Sequence, residues 1–145
     1  MLWSFTATLA YSQNNEQQCG PVAGKVARAM FTTNIVNREP TDRVLILAND
    51  QDRLYFFTDL RQFQGQTISH RWEYDGRVIM QKKFEVKGPR WRVYSVHTLE
   101  NNKTGRWTAV IADKNNCPIK AVVFEYVDKT AMGSNGSAII NLNNQ

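Results

Sequence analysis

Asp75-Gly76, flanked by Thr67 to Tyr74 on one side and Arg77 to Val86 on the other, constrains this chain more than any other feature. The Asp-Gly pair takes up the left-handed backbone that a tight two-residue turn needs, and the flanking segments alternate apolar and polar residues, so they predict a β-hairpin. Similar punctuation recurs along the chain. Val26 to Val36 is β-rich and stops at Asn37-Arg38-Glu39-Pro40. Val44 to Ala48 and Leu54 to Thr58 bracket the turn Asn49-Asp50-Gln51-Asp52 and predict a second hairpin, with 59–65 as a connection. Trp91 to Thr98, Arg106 to Ala112 and Ile119 to Val127 complete the series, broken at Gly88-Pro89 and Gly105. Seven or eight strands at intervals of about 8 to 12 residues, with no helical stripe, predict an all-β domain. The expected architecture is an antiparallel β-sandwich, immunoglobulin-like or like a carbohydrate-binding module, with a barrel as the alternative.

The 145 residues suffice for one such domain, placed at 26–127, and 42% hydrophobic content is ordinary for a globular chain. Residues 13–25 form a leader segment, and 128–145 a flexible tail in which Ala138 to Leu142 could add an edge strand. Met1 to Ser12 carries no charge and ends in small residues. It is expected to be the remnant of a signal peptide, or else an N-terminal strand from Trp3 to Tyr11. The first reading places the protein in the periplasm or outside the cell. No apolar run approaches the length of about 20 residues that crosses a bilayer, so no transmembrane segment is expected in the mature chain. Cys19 and Cys117 fit one disulfide in an exported chain or two separate thiols in a reducing compartment. The bond would close a loop of about 99 residues and stabilise by roughly 4.7 kcal/mol on the chain-entropy account.

Alternation also sorts the aromatic and basic residues. His70, Trp72 and Tyr74 share one side of their strand, opposite Ser69, Arg71 and Glu73. Trp91, Val93 and Ser95 likewise oppose Arg90, Arg92 and Tyr94. With Trp72, Trp91, Trp107 and Phe124 as core residues, an outer face remains that carries Arg71, Glu73, Arg90, Arg92, Tyr94 and Arg106. These six are the candidate ligand-binding residues, able to offer guanidinium forks and a ring to an anionic sugar polymer.

Catalytic signatures are absent. There is no phosphate loop, nucleophile elbow or His-Glu-x-x-His motif, and two cysteines with two histidines fit no zinc template, so neither metal nor cofactor is expected. Glu73 and Asp75 are a poor hydrolytic pair, because Asp75 is explained by its turn and an open sheet face does not bury a general acid. His70 is expected to be a structural imidazole. Eighteen Lys and Arg against 13 Asp and Glu give a net charge of +5, which favours anionic partners or merely keeps the protein soluble.

An ordered set of motifs resembles one known family. The set comprises Ala27-Arg28-Ala29-Met30-Phe31-Thr32-Thr33, Arg38-Glu39-Pro40, Tyr55-Phe56-Phe57-Thr58-Asp59-Leu60, Gly65 through Trp72, Gly88-Pro89-Arg90-Trp91-Arg92-Val93 and Thr104-Gly105-Arg106-Trp107. From about Val26 to Val127 these are similar to the bacterial domain family numbered 2914 among the domains of unknown function. The resemblance implies an exported or membrane-tethered protein and a small β-sandwich reminiscent of carbohydrate-binding modules, with no catalytic residues to carry over. Where relatives have Ser-Ser-Lys after the Trp-Arg-Val motif, this chain has Ser95-Val96-His97, so no role of that lysine carries over. The functional expectation is a non-catalytic binding module of the bacterial envelope, with a polysaccharide or other anionic glycan as partner. The alternative is a structural or protein-interaction domain in which the Arg-Trp neighbours are internal contacts. Nucleic acid is not an expected partner of an exported chain.

Overall fold

The computed structural model describes residues 19–131 and the backbone of 139–141. The signal-peptide reading of 1–12 and residues 13–18 of the leader lie outside the described residues. The described chain is all β apart from one 3-10 turn at Lys129–Ala131, and it holds no helix long and apolar enough to cross a membrane. Its long strands are β1 (Lys25–Thr32), β6 (Arg53–Arg61), β7 (Thr67–Tyr74), β8 (Arg77–Glu85), β9 (Arg90–Thr98), β10 (Gly105–Ala112) and β11 (Pro118–Val127). Between β1 and β6 lie four short pieces, β2 (Ile35–Val36), β3 (Glu39–Pro40), β4 (Asp42–Val44) and β5 (Ile46–Ala48), and β12 is Ile139–Asn141.

Two five-stranded sheets form a sandwich. The first runs β12-β4-β1-β6-β9 and the second β5-β11-β10-β7-β8, and both stay open at their edges, so the barrel alternative does not hold. The hairpin predicted at Asp75-Gly76 joins β7 to β8, with φ of 51° and 71° at the two turn residues as the tight turn requires. The other predicted hairpin does not form. Val44 pairs with Phe31 of the first sheet, the chain crosses over at Leu45, and Ile46 to Ala48 pair in parallel with Glu125 to Val127 of the second. Inward-facing apolar side chains from this one short run thus serve both sheets, Val44 and Leu47 both being buried. It is the single parallel join among the described strands.

β1 is shorter than the sequence suggested. It ends at Thr32, because Asp42 accepts hydrogen bonds from the Thr32 hydroxyl and the Thr33 amide, both at 2.7 Å, and so ties off the base of a small β2–β3 hairpin. β6 is longer than expected and carries on through Asp59 and Leu60 to Arg61, paired on both sides, with β1 and with β9. β12 adds to the outer edge of β4.

The core lies where the inner faces meet. Phe31 and Phe56 of the first sheet meet Trp72, Trp107 and Phe124 of the second, with Phe31 ring centroids 5.3 Å from Trp72 and 4.6 Å from Phe124. Trp72, Trp107 and Phe124 are buried as predicted, and Trp91 is partly buried against the same cluster. Edge-to-face pairs of this kind add roughly 0.5 to 1.5 kcal/mol beyond the area they bury. Cys19 and Cys117 are bonded, which ties the leader to the loop between β10 and β11.

One polar group crosses the apolar core. His70 of β7 is fully buried and lies 2.9 Å from the Thr58 hydroxyl through Nε2 and 2.9 Å from the Ser95 hydroxyl through Nδ1. The Trp72 indole N–H donates to the same Ser95 oxygen at 2.9 Å. All three donors find acceptors if Ser95 donates to Nδ1 and Nε2–H donates to Thr58. Burial, helped by the nearby Lys82 charge, drives the imidazole pKa down to about 3, so the ring is neutral in the fold.

An unfolded histidine binds its proton near pH 6.5, so between that value and pH 3 the unfolded chain holds a proton that the folded chain does not. Stability should therefore fall as pH drops through this window, by up to about 1.4 kcal/mol per unit from His70 alone. In urea titrations from pH 7 to 4, His70→Gln should show a shallower slope than the wild type. Equal slopes would mean that His70 is protonated in the fold.

Candidate functional site

The six predicted site residues do not form one site. β7 and β10 belong to the second sheet and β9 to the first, so Arg71, Glu73 and Arg106 face away from Arg90, Arg92 and Tyr94 across the sandwich. Strand alternation had told which residues point outward, but not from which sheet.

On the second sheet Arg71 and Arg106 are each locally matched. Arg71 donates to Glu73 at 3.3 Å and to the side-chain carbonyl of Asn116, and Arg106 donates to Glu125 at 2.8 Å. Two depressions flank Arg71 along β7. One of about 700 Å³ includes Ser69, Gln81, Lys83 and Lys114, and one of about 510 Å³ lies at the Asp75-Gly76 end beside Arg106. In the larger one Lys83 and Lys114 are balanced by Glu85 and Asp113, so it has no surplus charge.

The outer face of the first sheet differs. The register of β1, β6 and β9 sets Arg28, Asp59 and Arg92 in one row across the strands, and Lys25, Arg61 and Arg90 in the next. A bulge between Val26 and Arg28 brings Arg28 onto this face. Asp59 binds three guanidiniums: Arg61 in a fork at 3.0 and 3.2 Å, Arg28 at 3.1 Å and Arg90 at 3.3 Å. Burial alone would raise the Asp59 carboxyl, but Arg61, Arg28 and Arg90 together hold it below the ordinary carboxylate range. Its side chain is 1% exposed, whereas that of Arg90 is 50% exposed, so the positive groups reach solvent and the negative one does not.

Glu39 supplies the second carboxylate from the β2–β3 hairpin, whose Asn37-Arg38 turn has φ of 50° and 63°. It accepts from Arg28 at 2.7 and 3.1 Å and also from Arg92, so it spans the strand between them. The Arg28 hydrogen bond first, with help from Arg92, holds the Glu39 carboxyl below its usual range. Arg28 also stacks over the Phe57 ring, 5.0 Å from its centroid, and Phe57 is almost fully buried although its strand position is outward. One step along the strands stands the exposed Tyr94, its ring 5.8 Å from that of Tyr55.

Four guanidiniums therefore meet two carboxylates, leaving two positive charges on one sheet face. Of these six side chains, only Arg90 and Arg92 were among the sequence-predicted residues. Asp59 was missed because it was placed in a connection and not in a strand, and Glu39 because its hairpin was read as a break. Continuing the alternation Tyr55, Phe57, Asp59, Arg61 would have found Asp59 and Arg61, one in each charged row. Among the described residues no three His, Cys, Asp or Glu side chains converge as metal ligands would.

Fold and face together define an all-β sandwich domain with an arginine-rich outer sheet. Residues 65–126, from the turn before β7 to the end of the core-facing part of β11, match the family described as protein of unknown function DUF2914. No curated protein matches the chain. Arg90 and Arg92 lie inside the matched segment, while Arg28, Glu39, Asp59 and Arg61 lie outside it.

Removing the buried carboxylate should unbalance the face. Asp59→Asn should cost roughly 2 kcal/mol in urea unfolding, less than the 3 to 5 typical of a fully buried pair because its partners are one-third to one-half exposed. Added salt should narrow the difference. A variant as stable as the wild type at low salt would show that Asp59 does not organise the arginines.

Proposed function

We propose that the protein is a non-catalytic binding module of the bacterial envelope that takes an anionic polysaccharide on the outer face of the sheet β12-β4-β1-β6-β9. The observation that carries this reading is the unequal matching of charge on the two faces. Arg71 and Arg106 are each balanced by a neighbouring carboxylate, whereas Arg28, Arg61, Arg90 and Arg92 share Asp59 and Glu39 and keep a surplus. Exposed guanidinium N–H groups favour anionic oxygens, and Tyr94 beside them gives a sugar ring an apolar surface. A flat sheet face with two charged rows suits an extended polymer better than a small ligand, which needs a concave site. The Cys19–Cys117 bond supports an exported, oxidising location, as the leader's composition does.

The structural reading keeps one argument of its own. Every one of these four arginines has a carboxylate partner, as in a domain whose charges only brace the hairpin against the sheet. Binding separates the two readings.

In affinity electrophoresis through gels containing anionic polysaccharides, the full chain should be retarded, and added salt should weaken the effect. Arg90→Ala combined with Tyr94→Ala should weaken retention by about tenfold, on the order of 1.4 kcal/mol, with the melting temperature little changed. Arg106→Ala, on the opposite face, should bind like the wild type. Unretarded wild-type protein, or equal losses from both faces, would contradict the assignment.

A further inference from the structure

Glu39 differs from Asp59 in a way that bears on what the face binds. Asp59 belongs to the sheet, is buried, and answers three arginines at once. Glu39 comes from a separate two-by-two-residue hairpin, and its side chain is 39% exposed. The base of that hairpin is fastened independently, by Asp42 to Thr32 and Thr33 and by the Thr41 amide to the Asn34 carbonyl. The Glu39 side chain can therefore leave Arg28 and Arg92 without undoing the hairpin. Its carboxylate sits in the fork of Arg28 and touches Arg92, the arrangement in which a planar two-oxygen anion is best held.

We infer that Glu39 is a built-in stand-in for the carboxylate of a uronate-type polymer, which binds by displacing Glu39 from Arg28 and Arg92. This rests on the reading of the face as a polyanion site and gives it a ligand class. Displacement leaves Arg28 and Arg92 on either side of Asp59, about two strand spacings, or roughly 10 Å, apart. The row of Lys25, Arg61 and Arg90 follows about 7 Å further along the strands, so a chain bearing repeated carboxylates meets more than one cationic row. Because the internal carboxylate competes, binding is weaker than the arginines alone would give, and only a polymer that also engages the second row gains enough to evict it. Glu39 thus sets the affinity, and the Arg28 fork that holds it sets the preference for carboxylate over sulfate.

The test uses the full chain, wild type and Glu39→Gln, titrated with polygalacturonate and with dextran sulfate at one low ionic strength. Glu39→Gln should bind polygalacturonate about tenfold more tightly than the wild type, the effect of removing one competing charge. Both proteins should prefer polygalacturonate to dextran sulfate. If the wild type binds polygalacturonate and Glu39→Gln binds it no better, the stand-in is wrong while the polyanion face stands. A preference for dextran sulfate overturns the carboxylate class alone. If neither protein binds either polymer, the polyanion face itself is wrong. A second readout does not depend on the variant's folding: in the wild type, saturating polygalacturonate should raise the Glu39 titration, followed by carboxyl NMR, by about one pH unit as Arg28 and Arg92 are taken from it. An unmoved Glu39 titration overturns the inference.

Discussion

The buried contacts of His70 with Thr58 and Ser95 fix the facing of three strands across the core. Each of these polar side chains must point inward, since an unpartnered buried imidazole or hydroxyl would cost roughly 1 to 3 kcal/mol. Period-two alternation then leaves no choice for their neighbours. With Thr58 inward, Asp59 and Phe57 point outward, and with Ser95 inward, Tyr94 and Val96 do. A slip of β6 by one residue would turn Asp59 into the buried interior and away from its guanidiniums. The inner network and the outer arginine face are thus two sides of one register.

The outer face holds more positive charge than its carboxylates balance. A lone buried aspartate is costly, and three arginines are more than one carboxylate needs. Asp59 offsets the mutual repulsion of Arg28, Arg61 and Arg90, holds them side by side, and leaves their remaining N–H groups toward solvent. Glu39 extends the same logic to Arg92 from a partly exposed side chain on the β2–β3 hairpin rather than from the sheet. The opposite face, with Arg71 on Glu73 and Arg106 on Glu125, is neutral by comparison, and the proposed binding surface rests on this asymmetry.

Much of this was legible in the residues. Asp75-Gly76 announced its hairpin because only certain residues tolerate the turn's backbone, and Trp72, Trp107 and Phe124 announced the core because large rings at alternate strand positions have few other places to go. What was not legible is non-local. The crossover at Leu45 depends on which sheet edge is free to accept Ile46 to Ala48, a property of β11, 79 residues away, and not of the segment itself. The division of the six candidate residues between two faces depends on strand order in the same way. Asp59 was hidden for a different reason. A charged residue followed by Leu60-Arg61-Gln62 looks like the start of a loop until the partners that neutralise it, 31 residues away on either side at Arg28 and Arg90, are known.

The central claim is that one face of the sandwich, and only that one, receives an anionic polymer. Arginine side-chain Nε–H spectra, recorded while an oligogalacturonate is added to the full chain, read each guanidinium separately. The account predicts progressive shifts for Arg28, Arg61, Arg90 and Arg92, with Arg71 and Arg106 unmoved as internal controls. Shifts at Arg71 and Arg106 with the first four stationary, or shifts spread evenly over all six, would contradict it.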